Sequence, residues 1–138
     1  MKALSKPLVT VLLVISLIAC GSSEDGLSDL PPELAQGDPI ETPFDTRPSA
    51  LNRDEFQAAL QENTPEDLEI RPGSDTAMVF VLIDTEGQVR RTVVSGSSGQ
   101  PELDAAAKEV ASVIRFSPGL RDGEPVHVWL ELPIIFGL

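Results

Sequence analysis

The chain has one cysteine, one histidine, one tryptophan and no tyrosine. A single thiol closes no internal disulfide, so no oxidised framework holds the fold together. A single imidazole excludes a histidine-based metal cluster within one chain. Positive charge is also scarce, with 10 Lys and Arg against 22 Asp and Glu and a formal net charge of -12. Such a polyanion repels nucleic acid, so a phosphate-tracking role is excluded. At 138 residues the chain accommodates one domain of modest size.

No apolar run is long enough for a membrane-spanning helix, which needs roughly 20 residues at 1.5 Å rise each. The longest is Leu8 to Ala19, preceded by Lys2 and Lys6. A basic start and a short apolar stretch describe a signal-peptide h-region. It ends in Leu17-Ile18-Ala19-Cys20, followed by Gly21 and Ser22. That tetrad resembles a bacterial lipobox, which implies cleavage before Cys20 and lipidation of its thiol. The alternatives are an ordinary signal peptide with a chance cysteine and a short transmembrane anchor. One acyl chain holds a protein only marginally, whereas several hold it well. Gly21 and Ser22, where an inner-membrane retention signal would have Asp, imply the outer membrane, facing the periplasm. Residues 1–19 are therefore expected as a lipoprotein signal peptide.

Residues 20–50 are expected as a disordered, acidic, proline-rich tether. Gly21–Thr46 carries seven acids and no base, and Pro31, Pro32, Pro39, Pro43 and Pro48 interrupt regular elements. Leu30, Leu34, Ile40 and Phe44 are the residues in it able to dock on a neighbouring domain.

A domain over 51–138 follows. Asn52 and Glu55 have the spacing of a capping box for a helix over Arg53–Glu62. Thr76–Ile83 is apolar at nearly every position and reads as a central strand with both faces at least partly covered. Asp84-Thr85-Glu86-Gly87 is a turn, and Gln88–Ser95 returns as a half-exposed strand. Pro101 opens a second helix, whose buried face is Leu103, Ala107, Val110 and Ile114, with Arg115 in its last turn. Leu120–Glu124 reads as a polar connection. Pro125–Leu132 alternates, with Val126, Val128, Leu130 and Leu132 on one side and His127, Trp129 and Glu131 on the other. The order helix-strand-strand-helix-strand predicts an α+β fold of two layers, a three-stranded antiparallel sheet with helices on one face.

Several segments carry a family resemblance. They are Val79–Asp84 with Glu86-Gly87-Gln88-Val89, Val93-Val94-Ser95-Gly96-Ser97-Ser98-Gly99, Leu103–Ala107, Phe116-Ser117-Pro118, Gly123–Val126 and Val128–Phe136. In this order the stretch from Val79 to the end resembles the C-terminal domain of TonB-family energy transducers, and the likeness extends back to Asn52. Thr64-Pro65 stands where that family usually shows Tyr-Pro. The family's N-terminal helix, which engages a proton-driven motor, has no counterpart here. The resemblance implies a module that binds an extended segment of outer-membrane transporters by adding a strand to its sheet. The edge it implies is Val126, His127, Val128, Trp129, Leu130 and Glu131. Trp129 would be an exposed platform, or buried under the N-terminal helix or the tether. Arg90 and Arg91 are candidate contacts for an acidic partner. Acting without its own motor, the module would be an adaptor or modulator of transport. The alternative is a structural envelope lipoprotein that self-associates, for instance as a homodimer through the last strand.

Catalysis has the least support. Asp84/Glu86 and Glu102/Asp104 sit in a turn and a helix start, and Ser95, Ser97 and Ser98 have no matched base nearby. No small-molecule substrate, cofactor or metal is expected. Cys20→Ser is predicted to leave an uncleaved or unlipidated precursor, read by metabolic labelling with radioactive fatty acid. Wild-type labelling of that variant would refute the lipobox.

Overall fold

The computed structural model describes Leu27 and residues 30–69 and 75–137. The expected signal peptide and Cys20 lie outside the described residues. Eight elements follow in order: α1 (Pro32–Gln36), α2 (Arg53–Asn63), β1 (Thr76–Ile83), β2 (Val89–Gly96), α3 (Pro101–Ser112), β3 (Gly119–Arg121), β4 (Glu124–Val126) and β5 (Val128–Ile135).

β1 organises the rest. Its near-continuous apolar sequence suits a strand flanked on both sides, and it pairs antiparallel with β2 and with β5, in the order β2-β1-β5. Side chains alternate across the sheet. Ala77, Val79, Val81 and Ile83 face one layer, where Leu130, Leu132 and Ile134 join them from β5. α3 covers this layer with Leu103, Ala107 and Val110, all fully buried, and α2 adds Ala59, Phe56 and Leu60. The expected fold class is the one observed, with the helical periodicity of α3 facing the core.

The β1–β2 turn is closed by backbone and side chain together. Asp84 Oδ1 accepts the N–H groups of Glu86 and Gln88, both at 2.9 Å. Gly87 has φ +84°. A Cβ at this position would lie 1.8 Å from the Phe116 carbonyl oxygen, and the Phe116 N–H donates to the Gly87 carbonyl at 2.8 Å. Only glycine allows the two backbones to approach this closely.

Four local expectations are corrected. Asn52 does not cap α2 with its side chain. Its amide donates to Glu55 Oε2 at 2.7 Å and to the Val113 carbonyl at 2.9 Å, and its oxygen accepts the Arg115 N–H at 2.8 Å. The long-range partners at the end of α3 outcompete local capping. α3 ends at Ser112, so Arg115 is not in its last turn; it pairs instead with Gln88 in an isolated bridge. Leu120–Glu124 is not a plain connection. β3 and β4 form a hairpin around Asp122 (φ 53°) and Gly123 (φ 80°), the two positive angles of a type I′ turn. The strand expected from Pro125 is therefore broken at His127, with β5 beginning at Val128.

Residues 30–50 also depart from the expected disordered tether. The segment contains α1, packs Leu30 and Leu34 against the second face of the sheet, and bridges to the body at Thr46–Leu120 and Ala50–Phe116. The second face carries Phe80 and Leu82, and covering them offsets the ordering entropy of the segment. Ile40 stays 54% exposed.

Gly87→Ala is expected to cost more than the roughly 1–2 kcal/mol of a left-handed backbone, because Phe116 must also move. Gly99→Ala is the control, since Gly99 has φ +86° with nothing within 4 Å of an added Cβ. Urea denaturation of both variants measures the difference.

Candidate functional site

β5 is an edge strand. The Trp129 N–H donates to Thr42 Oγ1 at 2.9 Å, away from β1. By antiparallel alternation, Glu131, Pro133 and Ile135 also turn their backbone groups outward, while Val128, Leu130, Leu132 and Ile134 bond to β1. Pro133 thus occupies a position where its missing N–H costs the sheet nothing.

The edge has two different halves. At Trp129 it is occupied. The indole is 4% exposed and packs with Leu30 and Leu82, near Leu34, Phe80 and Val93. The Arg91 guanidinium stacks 5.2 Å from the centre of the ring. Arg91 also donates to the carbonyls of Leu34 and Gly37, each at 2.8 Å, and so holds the end of α1. Beneath this cover the indole Nε1 is buried with no hydrogen-bond partner among the described residues.

From Glu131 to Ile135 nothing pairs with the outer side of the edge among the described residues. Glu131 is exposed and accepts the Ser95 hydroxyl at 2.6 Å from across the sheet. Ile135 is 36% exposed. Leu132, Pro133 and Ile134 line an apolar groove of about 330 Å³ with Phe56 and Ile114. A second hollow of about 680 Å³ adjoins it, between Leu60, Leu68 and Phe136.

The expected site residues divide accordingly. Trp129 and Glu131 lie on the edge. Val128 and Leu130 belong to the same strand but turn their backbone inward and are buried. Val126 pairs with Gly119 in β4, and His127 lies between β4 and β5, so neither extends the edge. Arg90 forms an ion pair with Asp84 at 3.2 Å. Arg91 serves α1 and Trp129. Thr42, Phe56 and Ile135 are not among the expected site residues, and Leu30 is expected only as a residue able to dock on the domain. Thr42 carries no local signal, since it contacts the edge only through the path of the folded chain.

The acid and serine pairs serve as local clasps. Burial opposes the charge on Asp84, but the N–H groups of Gln88 and Glu86 and the Arg90 guanidinium outweigh it and hold its pKa below the ordinary value. Burial likewise opposes the charge on Asp104. The Ser97 hydroxyl and the N–H and hydroxyl of Ser98 prevail, and its pKa is also lowered. Both Ser98 bonds measure 2.8 Å. Among the described residues no group of three His, Cys, Asp or Glu side chains is arranged to hold a metal ion.

A small antiparallel sheet with α2 and α3 on one face, α1 on the other and a partly exposed edge strand makes an α+β module. Residues 65–138, more than half of the chain, match the Gram-negative bacterial TonB protein C-terminal family, and the chain belongs to that family. A curated relative, Protein TonB of Vibrio cholerae serotype O1, is 32% identical over 81 residues. The match covers 59% of this chain and 33% of the relative, so the chain spans about a third of that protein's length. No solved structure matches the chain.

Asp84→Asn is expected to cost about 1–3 kcal/mol at neutral pH, as expected for weakening a buried charged hydrogen-bond set. A carboxylate with a depressed folded pKa stabilises above its unfolded value of about 3.9, and that stabilisation is lost as pH falls through the folded value. The gap in stability between wild type and variant should hold from pH 7 to about 5 and shrink below about 4. Chemical denaturation across that range measures it.

Proposed function

We propose that the chain is a lipid-anchored, periplasm-facing binding module that takes up an extended protein segment on β5 and acts as an adaptor or modulator of TonB-dependent transport across the outer membrane. The observation that carries this reading is the outward backbone of Glu131, Pro133 and Ile135, unpaired among the described residues and beside an apolar groove, in a chain of the TonB C-terminal family. A strand laid there gains ladder bonds from β5 and places alternate side chains toward Phe56 and Leu132. The lipobox-like Leu17–Cys20 supports the anchor, and the acidic stretch after it would hold the domain off an anionic lipid surface. Among the described residues no helix is long and apolar enough to cross a membrane.

A second reading, a structural or self-associating envelope lipoprotein, is favoured by the Trp129 end of the edge, which the chain's own Thr42 already occupies. A photoreactive residue at Ile135 of the full chain, irradiated in intact envelopes, separates the two. Capture of a segment of an outer-membrane transporter is the expected result. Capture of a second copy of this chain alone would overturn the adaptor role.

A further inference from the structure

We infer that residues 30–44 are an exchangeable intramolecular ligand of the sheet, a strap that must leave before a partner can use the whole β5 edge. The inference rests on the reading of β5 as the binding edge and adds its regulation.

The strap holds the sheet by three kinds of contact. Leu30 and Leu34 pack on Leu82 and Trp129. Arg91 grips the Leu34 and Gly37 carbonyls. Thr42 takes the Trp129 N–H, a backbone donor that an added strand would otherwise use. The first two cover the face, and the third blocks the edge, so one segment closes both.

The fit is incomplete. Among the described residues the strap buries the indole Nε1 without giving it an acceptor, and a buried unmade hydrogen bond weakens the arrangement that contains it. Thr42 supplies a side-chain oxygen where a neighbouring strand would supply a carbonyl in register. α1 is one short helix of five residues, with Leu34 half-buried and no residue fully covered. An occupant attached to the domain has an effective concentration of about millimolar, so modest contacts keep it seated. An incoming segment with a carbonyl for the Trp129 N–H and an acceptor for Nε1 would satisfy groups that the strap leaves poorly served or empty.

Trp129 is the chain's single tryptophan and there is no tyrosine, so intrinsic fluorescence reports on this contact alone. The test uses the full chain carrying Leu30→Asp and Leu34→Asp. Its acrylamide quenching constant should rise at least threefold, with a red shift in emission. A labelled peptide of sequence 27–44 should bind this variant at least tenfold more tightly than it binds wild type. Hydrogen exchange at Val79 and Val81 checks that the body is intact. Should those amides lose protection, Leu34→Ala with Thr42→Val replaces the charged pair, with the same directions expected. Unchanged quenching in an intact variant, or equal peptide binding by wild type and variant, overturns the strap. Neither readout involves a transporter, so a strap that opens in a protein that captures no transporter segment would sink the adaptor role alone.

Discussion

Everything in this domain answers to a strand that is apolar on both faces. Val79, Val81 and Ile83 point one way, and Phe80 and Leu82 the other. A strand of this kind is stable only when covered twice. α2 and α3 provide the first cover, drawn from the domain itself. The second comes from the acidic, proline-rich segment that precedes it. Because β1 is central, flanking strands shield its backbone, and the demand for cover passes outward to Trp129 on one side and Arg91 and Val93 on the other. The clasp of Asp84 around its turn then holds β2 in register, while Gly87 lets the turn rest directly on Phe116.

Much of this architecture was legible in the residues. The continuous run TAMVFVLI announced a strand covered on both faces, and the spacing of Leu103, Ala107, Val110 and Ile114 announced the buried side of a helix. Alternation from Val128 to Leu132 marked which side chains enter the core. Less legible was whatever depended on distant partners. Asn52 has a capping-box spacing, yet its amide reaches the end of α3, and no local pattern encodes that. The β3–β4 hairpin did carry a signal, Asp122-Gly123, but its flanks of three residues each are too short and polar to show strand periodicity. For the candidate site, Trp129 and Glu131 were readable from alternation. Thr42 was not, because a threonine among prolines has nothing in its own neighbourhood to show that it meets a strand 87 positions away.

The edge therefore combines two physical regimes on one strand. Toward Val128 it is shielded, apolar and held by a cation stacked on an indole. Toward Ile135 it is wet, partly exposed and bordered by a hollow. A segment arriving at the open half would find ladder groups immediately and could extend toward the shielded half only by competing with resident contacts. Initial capture and complete engagement are then separate events with separate energetics, the first set by backbone pairing and the second by exchange of one apolar cover for another.

Pro133 has an effect that reaches beyond a single molecule. Sheets with exposed margins tend to recruit copies of themselves, each new layer presenting the same template to the next. A ring nitrogen with no hydrogen, set midway along the accessible margin, leaves any layer added there one bond short. A bare margin of this kind is a poor template for runaway polymerisation into fibrils.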